Sequence, residues 1–181
     1  MSSFKENKNS SQTQVANSAS KSSTFISPDM EVTGDFKSKG SMQVEGILHG
    51  NITANSVVIG EGGAVNGIIT ANNVIVNGTL RGSIDCNSLE IMRNGSVSNK
   101  THAKNLKVTG SLEGEIVVSN LLEINATGFV QGEITVKDIR IDEGGRIIGS
   151  MQNHKINHKI KKELKIEKEP QKEKETPKEK I

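Results

Sequence analysis

From Val32 to Met151 apolar side chains recur in one frame, Φ-x-G-x-Φ-x-A-x-x-Φ-x-Φ, where Φ is apolar and most intervening positions are polar. The clearest copy is Leu48, Gly50, Ile52, Ala54, Val57 and Ile59. The same frame gives Val65, Gly67, Ile69, Ala71, Val74 and Val76, then Leu80, Gly82, Ile84, Cys86, Leu89 and Ile91. It continues through Val97 to Val108, Leu112 to Ile124 and Val130 to Ile141. A fragmentary first copy holds Val32, Gly34, Phe36, Met42 and Val44, and a last one begins Ile147, Gly149, Met151. Apolar residues two apart point to the same face of a strand. The three-and-four spacing that a solenoid of amphipathic helices needs is absent.

The copies are punctuated by glycine. Gly46, Gly63, Gly78, Gly95, Gly110, Gly128 and Gly145 follow one another at steps of 17, 15, 17, 15, 18 and 17 residues. Repeats of this length describe one small β unit stacked along an axis. Just before the third Φ stand Asn55-Ser56, Asn72-Asn73, Asn87-Ser88, Lys104-Asn105, Ser119-Asn120 and Lys137-Asp138. Asn, Asp and Ser bond nearby backbone and tolerate unusual φ, so each copy bends there and again at its glycines. The frame predicts an all-β, single-domain parallel β-helix of about seven triangular rungs, a rod roughly 34 Å long at strand spacing. The Asn-rich bend is placed to form side-chain ladders along the rod. From the last Φ of one copy to the first of the next, the step alternates between 6 and 4 and ends with two steps of 6, so the rod departs from its own pattern from Phe129 onward.

Composition agrees with a thin interior: of 181 residues 33% are hydrophobic and 2% aromatic, with no Trp or Tyr. Val, Ile, Leu and Ala suit a narrow core because close packing sets side-chain size by volume. The polar residues 1–27 read as a disordered tail, 28–151 as the β-helix, and the Lys/Glu-rich residues 152–181 as a second solvated tail. The net charge of +2 is uneven: residues 28–151 hold ten basic and fourteen acidic side chains, and the tails carry the excess lysine. An acidic middle without aromatics is a poor nucleic-acid surface. With no charged-then-apolar leader and no apolar run of bilayer length, a cytoplasmic location is expected.

The candidate chemistry is thin. Cys86 takes the slot that Ala54, Ala71 and Ala103 fill elsewhere, which makes it a small core residue and leaves no disulfide partner. Asn94 to Thr101 ends in Lys-Thr like a phosphate loop, yet Asn94 and Asn99 stand where such a loop needs glycine, so no nucleotide is expected. His154 and His158 are four apart but have no further ligand beside them, and His49 and His102 occupy different rung positions, so no metal is expected. Glu113, Glu115 and Glu133 alternate with apolar residues as a solvated face, without the aromatic platforms of β-helical sugar enzymes. Neither an enzyme nor a cofactor is indicated.

The frame, with Val57 to Gly67, Val76 to Gly82 and Leu112 to Ile116 as its best stretches, resembles the bactofilins over roughly Phe25 to Met151. The resemblance implies a right-handed β-helix. It also implies polymerisation without nucleotide into non-polar filaments, often at the inner membrane, where such proteins organise cell-wall enzymes and cell shape. A rod with two open ends exposes unpaired backbone edges, which favours end-to-end stacking independently. In non-polar filaments each joint is isologous. The last-rung contact is expected at Ile139, Ile141, Ile147, Ile148 and Met151, with Phe129 pointing outward at a bend nearby. The first-rung contact is expected at Val32, Phe36, Met42 and Val44. Phe4, Lys5 and Lys8 resemble the short membrane-targeting start of many bactofilins, and Ile156, Ile160 and Leu164 are spaced for a short partner-docking helix. The competing class is a non-polymerising β-helix that displays its flanks to a protein or glycan.

Overall fold

The computed structural model describes residues 23–153, which contain strands and turns and no helix. The strands are β1 (Ser23–Ile26), β2 (Glu31–Thr33), β3 (Phe36–Lys37), β4 (Ser41–Val44), β5 (Ile47–His49) and β6 (Ile52–Ile59). They continue as β7 (Ala64–Val76), β8 (Thr79–Ile91), β9 (Ser96–Val108), β10 (Ser111–Ile124), β11 (Phe129–Ile141) and β12 (Arg146–Asn153). Every pairing is parallel and joins one copy of the frame to the next, so the chain winds into a β-solenoid of about 8 turns.

Within β7 the inward residues are Val65, Ile69, Ala71, Val74 and Val76. Strict alternation slips at Gly67 and at Asn72-Asn73, and β7 ends before Gly78, so each turn has three bends and three flanks. The bends have separate causes. At the first, Gly34, Gly50, Gly67, Gly82, Gly114, Gly132 and Gly149 all hold φ between +122° and +152°, which L side chains rarely adopt. A Cβ on Gly67 would also collide with the Gly50 carbonyl in the turn below. At the second bend the expected ladder forms: the Asn72 amide donates to Asn55 Oδ1 at 2.7 Å, Asn87 to Asn72 Oδ1 at 2.8 Å, and Asn120 to Asn105 Oδ1 at 2.7 Å.

The third bend explains the alternating glycine step. Four-residue turns closed by Gly63 N–H to Gly60 O at 2.9 Å and Gly95 N–H to Met92 O at 2.9 Å alternate with the two-residue corners Asn77-Gly78 and Thr109-Gly110. Turns 125–128 and 142–145 are both of the wide kind, which produces the two final steps of 6. The 18-residue step belongs to β10, whose register with both neighbours shifts between Val118 and Leu121 to absorb one extra residue.

Stacked copies build continuous inward columns. Leu48, Val65, Leu80, Val97, Leu112 and Val130 lie one above another, as do Ile52, Ile69, Ile84, Thr101, Ile116 and Ile134, all buried. Strand pairing joins each turn only to its neighbours, although the Asn94 amide also donates to Glu61 two turns away at 3.1 Å across the tight Asn77-Gly78 corner, so stability is close to a sum of turn and interface terms.

The about 8 turns accord with the expected number of rungs, with β1 lying ahead of the fragmentary copy that holds β2 and β3. Two expectations are corrected. The solenoid begins ahead of residue 28: Ser23–Ile26 is a strand, and Ile26 is buried against Val44. Met42 and Val44 are not at the open end, since β1 lies over them and leaves both fully buried.

Candidate functional site at the ends of the solenoid

A stacked rod offers chemistry on its flanks or contacts at its ends. The flanks hold little chemistry. Cys86 sits in the alanine column, and burial first, with Asp85 second, pushes its thiol up to about 12, so it stays protonated and unreactive. The Thr101 hydroxyl of the loop-like segment faces the core, away from any phosphate. Glu115 pairs with Lys100 at 3.0 Å, Glu133 accepts from the Gln152 amide at 3.4 Å, and both are exposed. His49 lies 3.5 Å from Glu31 and His102 3.8 Å from Asp85, on different flanks. No cluster of three metal-ligating side chains occurs among the described residues.

The ends are different. β12 covers β11 only from Phe129 to Val136, so among the described residues no strand lies beyond Lys137–Ile141. The inward columns therefore end in open side chains: Ile139 is 37% exposed, Ile141 47% and Met151 49%, whereas Leu122, Ile124 and Ile134 one turn below are fully buried. Ile147, on the same end, is half-buried against the core. Alternation sends these side chains inward, and among the described residues no further turn covers them. At the other end the first turn leaves Val32 and Phe36 half-buried above Leu48 and Ile52.

Two of the expected residues stand on the flank. Ile148 is exposed in the outward column of Gln131 and Glu113, so it belongs to the side of the rod. Phe129 points outward at a bend, as its equivalents Ala64, Thr79, Ser96 and Ser111 required. It is half-buried one turn below the end, with the Arg146 guanidinium 5.9 Å from its ring centroid. Phe4, Lys5, Lys8, His154, His158, Ile156, Ile160 and Leu164 lie outside the described residues.

A family model described as polymer-forming cytoskeletal, Bactofilin, matches residues 24–98 and again 86–152. The chain belongs to the bactofilin family. No individual curated protein and no solved structure matches it. The two matches overlap at residues 86–98 and together span residues 24–152, the whole solenoid. Sequence reasoning missed β1 as part of the bactofilin solenoid, because Ser-Thr-Phe-Ile at 23–26 lacks the alternation of Ser-Met-Gln-Val at 41–44: Thr24 stands opposite Met42 and Phe25 opposite Gln43, and only Ile26 matches an inward apolar residue, Val44.

Proposed function

We propose that this bactofilin self-assembles end to end, without nucleotide, into filaments on the cytoplasmic face of the inner membrane, where they scaffold cell-shape or cell-wall machinery. The observation that carries the assembly is the open last turn. Among the described residues, Ile139, Ile141, Ile147 and Met151 present an apolar end bordered by strand backbone without a partner, and a second copy can satisfy both at once. Covering the exposed half of each side chain contributes on the order of 1 kcal/mol, and an isologous joint counts every residue twice. Val32 and Phe36 serve the opposite joint. Phe129 supports the first joint from below, because its ring seats Arg146 of the last turn.

Arg in place of Ile141 or Ile147 should reduce the assemblies to monomers or short rods in sedimentation velocity, with the β spectrum retained. Unchanged polymer size from both variants refutes this placement. Membrane association is assigned to Phe4, Lys5 and Lys8. One Phe in a lipid interface is worth only a few kcal/mol, so binding should be weak per copy and strong for a filament. Deleting residues 2–8 should release the protein from liposomes in co-sedimentation; persistent binding would remove the tail from the account.

A further inference from the structure

The third flank carries an outward column whose character changes half-way along the rod. In order it reads Phe25, Gln43, Val58, Ile75, Glu90, Lys107, Glu123, Arg140. The first four are uncharged and the last four alternate in sign over roughly 14 Å at strand spacing. Glu90 pairs with Lys107 at 3.5 Å and Glu123 with Arg140 at 2.8 Å. Among the described residues no ion pair joins Lys107 to Glu123. Between those two pairs lies a shallow groove of about 190 Å³ bordered by Asn105, Lys107, Leu121 and Glu123. The register shift of β10 is what puts half-exposed Leu121 at its edge.

Read from either end, a column of minus, plus, minus, plus is its own complement. We infer that this flank docks against the same flank of a second copy lying antiparallel, about a two-fold axis running along the strands between Lys107 and Glu123. Lys107 then faces Glu123 of the second copy, and Glu90 faces Arg140, each interaction made twice. Adjoining columns bring Asn105 to Leu121 and Ser88 to Asp138, with no like charges opposed. A parallel pair in register sets each charge against its own kind and is disfavoured.

The facing area is small. Four strands about 17 Å long cover on the order of 300 Å² per partner, below the roughly 800 Å² of a stable dimer. Single rods therefore pair weakly, and filaments pair through many contacts at once. In that respect the lateral contact rests on the filament function proposed above. Its charges make it sensitive to salt, whereas the apolar end joint is not.

Two variants test it. Lys107→Glu with Arg140→Glu makes the column wholly acidic, and Glu90→Lys with Glu123→Lys makes it wholly basic. Each alone should give single filaments in negative stain where the wild type gives paired ones at low salt, and an equimolar mixture should restore pairing. Wild-type pairing in either variant alone, or no recovery in the mixture, overturns the inference. A second measurement does not need filaments: Lys107→Cys and Glu123→Cys proteins, mixed and oxidised, should form a covalent dimer that neither forms alone. Buried Cys86 does not compete. Dimers of Lys107→Cys with itself at equal yield, or no dimer in the mixture, contradict the antiparallel geometry. Absence of filaments in the wild type would count against the proposed function, while the cross-link reports on the lateral contact alone.

Discussion

Two residues of the fifth copy break the rules that their columns keep. Thr101 stands in the Ile column, fully buried, with its hydroxyl unpaired, and Asn99 holds φ 101° where every other copy has glycine. A buried hydroxyl without a partner costs about 1 to 3 kcal/mol, and a non-glycine residue at positive φ costs on the order of 1 kcal/mol or more. Thr101→Val and Asn99→Gly should each stabilise the solenoid by about 1 kcal/mol in urea unfolding, and nearly additively only if the two sites do not couple. Both anomalies were legible as gaps in the frame; that Thr101 lacks a hydrogen-bond partner was not, because it depends on what surrounds the column. Cys86 makes a pH prediction. Its thiol keeps its proton in the fold up to about 12 but loses it near 9.0 when the chain unfolds, so the unfolded state binds fewer protons between those values. Stability should fall as pH rises through that window, by at most about 1.4 kcal/mol per unit, and Cys86→Ala should remove this contribution.

At the scale of the turn, the frame revealed nearly everything that local chemistry controls. Alternation fixed which residues face inward, and the Asn pairs marked the laddered bend. The alternating glycine step corresponds to wide and tight corners at the third bend, which sequence spacing registered without naming their geometry. What it could not weigh was the first turn. β2 and β3 are only three and two residues long, with Val32 and Phe36 as their apolar contribution, so they scarcely register as strands until β5 and β6 are seen beneath them. Met42 and Val44 were expected at the open end because Ser23–Ile26, which covers them, reads as part of the polar tail. Glycine at the first bend supports a direct check. Gly82→Ala forces a methyl group into the Gly67 carbonyl at φ +143°, and should destabilise the solenoid by more than about 2 kcal/mol in equilibrium unfolding. A change below about 0.5 kcal/mol would mean that the backbone relaxes there and that the column is not a steric requirement.

On the scale of the whole molecule the solenoid has sides that are largely polar and an end that is apolar, and this asymmetry is what the account of function rests on. The end residues Ile139, Ile141 and Met151 were readable from the sequence because they finish columns that are buried everywhere else. Phe129 and Ile148 were harder, since distance along the chain does not say whether a residue lies on the end or on the flank; the register with β10 and β12 decides it. About 8 turns at strand spacing make a subunit roughly 38 Å long. The most direct measurement is negative-stain electron microscopy of the purified protein without nucleotide, with the subunit spacing along the filament taken from the images. Continuous filaments whose subunit spacing is near 38 Å, abolished by Ile141→Arg, are the predicted result. Separate particles of one rod's length at every concentration, or filaments that survive Ile141→Arg with their spacing unchanged, would contradict it.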